Sequence, residues 1–526
     1  MGGETYADRE SALAEGMAVA YHAARRPDNL ALATAHGDRS FRELNARANQ
    51  LARLLARHGI GGPGREGDAI AVVTRNRPEF VEAYCAALRS GIRVTPVNWH
   101  LSGAETGYII DNCEARAVIY DASLGTAEAA AAHAADCHLR LAVGGSIPGF
   151  EDYDAAIAAE DPADVEHPVR GSQMLYTSGT TGRPKGVFRR QLPAQRSAAQ
   201  SLAAGDPDED RCLCTGPAYH AAPLAFNVTI PLHAGVGVVM MDRWDPEQTL
   251  ALIERYRITH THMVATMFHR LLQLPEAVKR KYDLSSLKLV MHGAAPCPVH
   301  VKRAIIDWFG PIVYEYYAAT EGGNNFGIDS ATWLKKPGSV GTTPTPENTR
   351  ILDDAGNDVA QGEVGTIYFR APEVGRFEYF KAPEKTDSSY RGDWFTLGDM
   401  GYLDEDGFLF LTGRSAETII SGGVNIYPQE IDAALLQHPQ VLDVCTVGVP
   451  NDEWGEEVKA VVLAKPEAEP GAALAEDIMA FARDQLAGFK CPRSVDFAAD
   501  LPRLPSGKIQ RRLVRQPYWE GRDKQI

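Results

Sequence analysis

The stretch Tyr176-Thr-Ser-Gly-Thr-Thr-Gly-Arg-Pro-Lys-Gly186 concentrates hydroxyl groups, glycines and one lysine in a single loop. The hydroxyls can donate hydrogen bonds, the glycines let backbone N–H groups approach phosphate oxygens, and the lysine adds a positive charge. An apolar segment, 174–176, comes directly before the loop and is typical of a short strand that holds its root. The stretch therefore predicts a loop that wraps a polyphosphate. Its expected contacts are Thr177, Ser178, Gly179, Thr180, Thr181, Gly182 and Lys185.

Two other phosphate loops have a different spacing. A Walker A loop needs Gly-x-x-x-x-Gly-Lys-Ser/Thr, whereas here the glycines lie closer together and Lys185 is followed by Gly186. The Rossmann spacing fits no better. The alternative is an ordinary surface loop, because Ser, Thr, Gly and Pro are also the common turn residues.

Four later segments carry further motifs in a fixed order along the chain. Together with the loop they resemble the signature motifs of the adenylate-forming superfamily, which holds acyl-CoA synthetases, the adenylation domains of peptide synthetases and luciferases. The resemblance extends through nearly the whole chain and makes the ordinary-loop alternative a poor one. The segments run from Tyr317 to Glu321, Arg391 to Asp399, Gly413 to Pro428 and Pro505 to Lys508.

The resemblance implies an α/β fold with two domains. The N-terminal domain, residues 1–413, is expected to combine layered α/β subdomains with a small β-barrel subdomain. The C-terminal domain, residues 414–526, is expected to be a small, mobile α+β unit. A chain of 526 residues is also too long for one ordinary core, which favours a large domain followed by a smaller one.

The residue patterns predict the same architecture. Ser40-Phe-Arg-Glu43 is a capping box that opens an amphipathic helix with its apolar stripe on Leu44, Leu51, Leu54 and Leu55, and Gly59 ends it. Strands and helices then alternate, which favours largely parallel sheets. Short strands with Gly and Asp turns fill residues 338–410, and an α+β pattern follows the boundary at Gly413-Arg414.

Charge and composition exclude several functions. A net charge of −16 and a pI near 5.4 argue against nucleic-acid binding, so any anion site must be a local positive pocket. The first ten residues include acidic side chains and no apolar core of signal-peptide length, and the most apolar later run, residues 225–241, is interrupted by polar residues, Pro and Gly. We expect a cytoplasmic protein without a membrane span. The eight cysteines form no Cys-x-x-Cys pair, and we expect neither zinc nor a disulfide.

The segment 314–321 resembles the family's adenine and magnesium motif, and the resemblance implies its residue roles. Tyr317 would cover the adenine, Thr320 would donate to a phosphate, and Glu321 with Thr177 would hold Mg²⁺, a cation that prefers oxygen ligands. The chain departs from the family at Ala318, where glycine is usual. The other implied nucleotide contacts are Ala294, Ala295, Pro296, Glu315, Tyr316, Asp399 and Arg414, with Asp399 accepting from the ribose hydroxyls.

The same resemblance implies an acyl pocket near His220. A core histidine with satisfied ring nitrogens is an equal alternative for this residue. The small side chains around it predict an acid with a bulky or a medium-to-long acyl group. The expected pocket residues are His220, Ala221, Ala265, Gly293 and Ala318.

The small domain is expected to carry the remaining chemistry. Lys508 matches the family's catalytic lysine, which stabilises charge between the carboxylate and the α-phosphate. Ser421, Gly422 and Gly423 match the loop that lines the coenzyme A tunnel. The hinge position, usually Asp or Lys, falls on Ala416.

Together these motifs imply an acyl-CoA synthetase. A carboxylic acid would attack the α-phosphate of ATP to give acyl-AMP and pyrophosphate, and coenzyme A would then displace AMP. We expect the partners to be small molecules only, with the protein a monomer or homodimer. Three alternatives stay open: an enzyme that mainly uses a supplied acyl-adenylate, a stand-alone enzyme that loads a carrier protein, and a non-catalytic nucleotide or acyl-CoA sensor.

Overall fold

The computed structural model describes residues 6, 8–134, 136–177, 184–189, 197–421, 424–451, 453–504 and 507–520. The predicted alternation of strands and helices builds a largely parallel eight-stranded sheet, which is antiparallel only at its two outer pairings. Its strands, in spatial order, are Gly322–Asp329, Val313–Ala319, Leu289–His292, His260–Met263, Arg211–Cys214, Gly237–Met240, Leu30–Thr34 and Arg39–Ser40.

A second sheet of six strands is parallel at every pairing. Parallel strands need crossover connections, and helices supply most of them here. The strands, in spatial order, are Glu151–Asp152, Leu139–Val143, Ala115–Asp121, Ala69–Val73, Arg93–Pro96 and Ser172–Gln173.

The amphipathic helix Phe41–Arg57 begins as the sequence predicts. The Ser40 side chain accepts from the Glu43 backbone N–H, and the Glu43 carboxylate accepts from the Ser40 N–H, which confirms the capping box. The four leucines of its predicted apolar stripe are fully buried. Gly59, with φ of +69°, lies just beyond the helix, where a left-handed residue commonly ends one.

The remaining helices of the large unit cover the two sheets. They are Arg9–Ala14, Ala18–Arg25, Pro78–Leu88, Gly103–Asn112, Ala127–Ala132, Tyr153–Ala158, Ala198–Leu202, Ile230–Ala234, Pro246–Tyr256, Ala265–Leu272, Glu276–Lys279, Val299–Phe309, Ser330–Trp333 and Pro383–Ser389. A π-helix, Pro223–Thr229, precedes one of them directly, and short 3-10 turns lie at Ala122–Leu124 and Pro346–Asn348.

Antiparallel sheets follow where the sequence texture changes. The predicted barrel-like unit is a six-stranded antiparallel sheet, with Ser339–Gly341 and Thr349–Leu352 at the two ends of the strand order. Between them lie Leu409–Arg414, Trp394–Leu403 and Gly365–Arg370, and Tyr390–Arg391 pairs with the second of these. A separate three-stranded sheet consists of Glu378–Tyr379, Lys185–Phe188 and Leu175–Thr177.

The chain passes into another sheet directly after Arg414. The next strand, Ile419–Ser421, belongs to a five-stranded sheet with Val424–Ile426, Gly455–Ala464, Val441–Asn451 and Ser494–Phe497. Three helices, Pro428–Leu435, Ala472–Gln485 and Arg511–Arg515, complete this α+β unit, with 3-10 turns at Ser415–Glu417, Gly488–Lys490 and Gln516–Trp519.

The small unit contacts the large one through the helix Ala265–Leu272. The Thr266 hydroxyl donates to the Gly507 carbonyl over 3.3 Å, and the His269 ring lies 3.0 Å from the Leu442 carbonyl. All eight cysteines are free thiols. In the part of the chain that the structure describes, no helix combines the length and apolar character needed to cross a bilayer.

Candidate active site

A cleft with a volume of about 2210 Å³ lies where the eight-stranded sheet, the antiparallel sheets and the small unit meet. The charge of its wall is opposite to that of the whole chain. Among the described lining residues, Lys and Arg number eleven and Asp and Glu six, whereas the chain carries a net charge of −16. The cleft is therefore the focused positive region that an anionic ligand requires.

The polyphosphate loop begins and ends at this cleft. Thr177 and Lys185 pair directly across two antiparallel strands, and both residues line the cavity. Partial burial and the nearby Lys385 lower the pKa of Lys185. The predicted contacts Ser178, Gly179, Thr180, Thr181 and Gly182 lie outside the described residues.

Tyr379 joins two of the predicted residues, Lys185 and Glu321. Its hydroxyl donates to Glu321 Oε1 over 2.9 Å, and Lys185 Nζ lies 5.7 Å from the centre of its ring. Arg189 donates to the Glu321 backbone carbonyl from the other side. Sequence reasoning missed Tyr379, because it lies far along the chain and outside the motifs considered.

Tyr317, Asp399 and Arg414 form one hydrogen-bonded group. The Tyr317 hydroxyl donates to Asp399 Oδ2 over 2.7 Å, and Arg414 Nε donates to Asp399 Oδ1 over 2.9 Å. Each carboxylate oxygen keeps a second lone pair for a ligand. Tyr317 and Arg414 both line the cleft, as does Thr320.

Lys508 enters the same cleft from the small unit. Burial and the positive charge of Arg414 lower its pKa, and the carboxylates of Glu417 and Asp399 oppose this shift. The turn before it is held by Gly507, whose carbonyl accepts from Arg503 Nη1 over 2.8 Å. Gly507 has φ of +86°, a conformation that suits glycine.

The proposed hinge residue lies between two ion pairs. Arg414 is bonded to Asp399 of the large unit, and Glu417 Oε2 lies 3.2 Å from Nε of Arg511 in the small unit. Ala416 lines the cleft between these anchors.

The predicted coenzyme A loop is described in part. Ser421 pairs with Gly455 and Val424 in the small sheet, whereas Gly422 and Gly423 lie outside the described residues.

His220 lines the cleft with an unsatisfied ring nitrogen. Nε2 is buried and has no hydrogen-bond partner among the described residues. Burial, with a smaller contribution from His100, lowers the His220 pKa to about 4. A core histidine with satisfied nitrogens, the alternative, would have a partner for Nε2. The ring thus borders the cleft as a neutral imidazole whose buried Nε2 has no described protein partner.

The residues predicted to contact the acyl group or the nucleotide divide into two sets. Ala221, Ala294 and Ala318 line the cleft, and Tyr316 lines it with its hydroxyl 2.9 Å from His262 Nε2. Ala294 has φ of +65°, which is uncommon for a residue with a Cβ atom. The described lining does not include the predicted residues Ala265, Gly293, Ala295, Pro296, Glu315, Asp399 and Ser421.

Gly293 and Ala265 have structural roles instead. A Cβ atom at Gly293 would lie 2.7 Å from the Tyr316 carbonyl oxygen, so glycine is required there for close packing of adjacent strands. Ala265 is the buried first residue of the helix Ala265–Leu272.

The Glu315 carboxylate does not line the cleft, although the resemblance implies a nucleotide contact at this residue. Successive residues of a strand point to opposite faces, and Tyr314 and Tyr316 line the cleft. The Glu315 carboxylate therefore lies on the far face, where it pairs with the fully buried Lys302. The period-two alternation of the strand contained this signal.

The donor set at Glu321 fits a hard divalent cation. Glu321 keeps one carboxylate oxygen without a bond to Tyr379, and the Thr177 hydroxyl lines the same cavity. Over the described ranges, no cluster of three or more His, Cys, Asp or Glu side chains forms a complete metal site. An ion held by Glu321 would need further oxygens from a ligand such as a phosphate.

Comparison with known proteins identifies the two units. The family described as AMP-binding enzyme matches residues 19–377, and the AMP-binding enzyme C-terminal domain matches residues 430–508. The chain is 33% identical to a 2-succinylbenzoate–CoA ligase of Geobacillus kaustophilus, over 93% of this chain and 95% of that protein. It is 32% identical to a feruloyl-CoA synthase of Amycolatopsis sp, over 93% and 96% of the two chains.

A solved structure shares the whole fold. The ATP-bound structure of MatB from Rhodopseudomonas palustris superposes with a TM-score of 0.79 at 30% identity, covering 94% of this chain and 96% of that one. The matches include both units, and the two curated relatives are acid–CoA ligases. The chain therefore belongs to the AMP-binding enzymes of the adenylate-forming superfamily, in its AMP-forming acid–CoA ligase branch.

Proposed function

We propose that this enzyme joins a bulky carboxylic acid to coenzyme A through an acyl-adenylate. The observation that carries the proposal is that Lys508 and Arg414 line the same positively charged cleft, with Arg414 bonded to Asp399. ATP and coenzyme A are the substrates of this family, and Mg²⁺ is its usual ion. The proposed domains, 1–413 and 414–526, meet at Arg414, which is the last strand residue of the large unit, since the next strand belongs to another sheet.

In the first step, a carboxylate oxygen of the acid would attack the α-phosphorus, and pyrophosphate would leave. Lys508 would stabilise the charge that develops between the carboxylate and the α-phosphate, because an ammonium group is already positioned there before the reaction. Lys185 would bind the leaving phosphates. Glu321 and Thr177 would hold Mg²⁺, which would neutralise part of the phosphate charge when bound.

The nucleoside would be held by the hydrogen-bonded group on the antiparallel sheet. Asp399 has lone pairs for two ribose hydroxyls, and Tyr317 presents a ring fixed through its own hydroxyl. His220 would face the acid, since its neutral Nε2 can donate to or accept from the carboxyl group without adding a competing charge.

In the second step, the thiolate sulfur of coenzyme A would attack the acyl carbon and AMP would leave. Lys508 occupies the cleft in this structure, so thioester formation would need the small domain to rotate. Rotation would be confined to Ser415 and Ala416, because the residues on either side are anchored to different units. Ser421 and its neighbours would then reach the cleft.

The direct experiment is a panel of carboxylic acids assayed with ATP and Mg²⁺, with and without coenzyme A. Mass spectrometry should detect acyl-AMP when coenzyme A is omitted, and acyl-CoA with AMP when it is present. Thioester formation only from synthetic acyl-adenylate would favour the enzyme that uses a supplied intermediate. Binding of ATP without pyrophosphate release from any acid would favour the sensor.

One departure from the family favours a slower first step. Ala318 is exposed in the cleft at the usual glycine position, so its methyl group takes space beside the nucleotide and acyl group. An Ala318→Gly variant should therefore raise the single-turnover rate of adenylation more than that of thioester formation. Equal rates in the variant and the parent protein would make this departure neutral.

The acid remains the unassigned part of the reaction. The relatives act on different acids by name, and they support acid–CoA ligation without selecting one. We place the enzyme in the cytoplasm, where its cosubstrates are available, and propose small-molecule partners only. We propose coenzyme A as the acceptor because the two relatives described above are named for CoA thioester formation, although another relative, 30% identical, is named a fatty acid–[acyl-carrier-protein] ligase.

A further inference from the structure

Three aromatic rings from three different elements form one wall of the cleft. They are Phe226 on the π-helix, His262 on the strand His260–Met263, and Tyr316 on the strand Val313–Ala319. We call this set the aromatic floor. Phe226 packs 4.7 Å from Tyr316 and 5.9 Å from His262, measured between ring centres.

The aromatic floor is rigid and carries no charge. The His262 and Phe226 rings are nearly parallel, with an interplanar angle of 17°. The Tyr316 hydroxyl is bonded to His262 Nε2 at 2.9 Å, so its polar group has a protein partner. Burial lowers the His262 pKa to about 4, which keeps the imidazole neutral at physiological pH. A ligand group that contacts this wall therefore meets apolar ring surface.

The residues beside the aromatic floor are small. Ala221, Ala222 and Ala225 line the cleft between His220 and Phe226. Two of the floor's neighbours, Pro223 and Ala225, lie in the π-helix, a rare conformation that occurs often at functional sites. If the carboxyl group of the acid lies at His220, the rest of the acid would extend past the alanines toward the three rings.

The walls around the aromatic floor lack the residues typical of an alkyl tunnel. Within the described residues, the cleft-lining segments 215–226, 262–267 and 314–326 contribute no leucine or isoleucine. Their aliphatic residues larger than alanine and proline are Val264 and Met267. Leucine and isoleucine line the cleft only from other parts of the chain, such as Leu175 and Ile419.

From this wall we infer that the acid carries a flat aromatic ring, which packs on Phe226, His262 and Tyr316. This inference rests on the proposed function and gives the bulky acid a chemical class. Aromatic rings gain from edge and offset contacts with other rings beyond the area that they bury. A saturated ring cannot make these ring contacts, and a flexible chain loses more conformational freedom on binding.

The test uses acids matched in carbon number. Benzoate is compared with cyclohexanecarboxylate and heptanoate, phenylacetate with cyclohexylacetate and octanoate, and 3-phenylpropanoate with 3-cyclohexylpropanoate and nonanoate. The three series place the ring at different distances from the carboxyl group, so that one of them can bring it onto the aromatic floor. In the best series, kcat/KM for pyrophosphate release should be at least about fivefold higher for the aromatic acid.

Binding of stable acyl-sulfamoyl-adenosine analogues of the same acids, measured by calorimetry, gives a second readout without turnover. The aromatic analogue should bind most tightly. Saturated acids that equal or exceed the aromatic acid in every series, by either readout, would overturn the inference while leaving acid–CoA ligation intact. Absence of both pyrophosphate release and analogue binding would overturn the proposed function as well.

Variants of the aromatic floor test whether its rings contact the acid. Phe226→Leu should reduce the aromatic preference several-fold and leave the KM for ATP near the parent value. Phe309→Leu makes the same change in the core of the eight-stranded sheet and serves as the control. Tyr316→Phe keeps the ring and tests the hydrogen bond alone, so it should retain most of the preference. An unchanged preference in Phe226→Leu protein that is folded by circular dichroism would contradict the assignment.

Discussion

Arg414 donates a hydrogen bond from Nε to Oδ1 of Asp399 over 2.9 Å, at the last strand residue before the chain leaves the large unit. The pair has two consequences. It orients the carboxylate that we assign to the ribose, and it fixes the point from which the small domain would rotate. Glu417 is held in turn by Arg511, so only two residues between the anchors are left to change conformation.

Lys508→Ala should separate the two half-reactions. Loss of one preorganised transition-state contact typically costs about 3 kcal/mol, which predicts a decrease of about a hundredfold or more in adenylation. Thioester formation from synthetic acyl-adenylate should keep much of its rate, because Lys508 would have left the cleft. Single-turnover assays of each half-reaction measure both. Arg512→Ala, at an exposed neighbouring cation, is the control, and an equal loss in both half-reactions would exclude the assigned role.

The rate of adenylation should fall as the pH becomes alkaline. The fall should come at a lower pH than the pKa of an ordinary lysine would predict. Burial and Arg414 lower the pKa of Lys508, and the reaction needs its charged form. As pH rises through this lowered pKa, the ammonium loses its proton and the rate falls. The profile of kcat/KM reports the free enzyme and is the measurement of choice. If kcat/KM of the Lys508→Ala protein declines at the same alkaline pH as that of the parent protein, the decline belongs to another group.

Glu321→Gln should raise the Mg²⁺ concentration needed for adenylation, because the amide keeps the shape but loses the charge that a hard cation requires. High Mg²⁺ should recover part of the rate. Tyr379→Phe removes the hydrogen bond to Glu321 Oε1 and should have a smaller effect in the same direction. Mn²⁺ binding to the enzyme–ATP complex, followed by electron paramagnetic resonance, gives a readout without turnover. Parent-like Mg²⁺ dependence in Glu321→Gln protein would place the ion elsewhere.

Ala294→Gly should stabilise the fold by about 0.5 to 1 kcal/mol. Ala294 has φ of +65°, and a left-handed conformation costs an alanine about 1 to 2 kcal/mol, partly offset by the greater entropy of glycine in the unfolded chain. Urea unfolding of both proteins measures the difference. Ala295→Gly, at a neighbour outside the positive-φ set, should destabilise instead. Destabilisation by both variants would refute the strain at Ala294.

Local sequence patterns predicted the elements that depend on neighbours in the chain. The capping box at Ser40 and Glu43 joins residues three positions apart, and it was predicted correctly together with the helix that follows. The α+β pattern predicted after Gly413-Arg414 is also observed, for example in the helix Ala472–Gln485 and the strand Ser494–Phe497. In these cases hydrophobic period and capping residues contain the needed information.

Local patterns do not predict contacts between residues that are far apart in the chain. Tyr379 reaches Glu321 across 58 positions, and nothing in its immediate sequence indicates that partner. Glu315 was assigned to the nucleotide because it adjoins a motif, although strand alternation directs it to Lys302. The aromatic floor likewise needs three separate elements to be brought together, so its chemistry emerged only from the fold.

The most direct test of the account is acid-dependent turnover of ATP. The purified enzyme is incubated with ATP, Mg²⁺ and a panel that includes the aromatic acids, and products are followed by mass spectrometry before and after coenzyme A is added. We predict acyl-AMP and pyrophosphate first, and then acyl-CoA and AMP in equal amounts. ATP binding without formation of either acyl product from any acid would contradict the central claim.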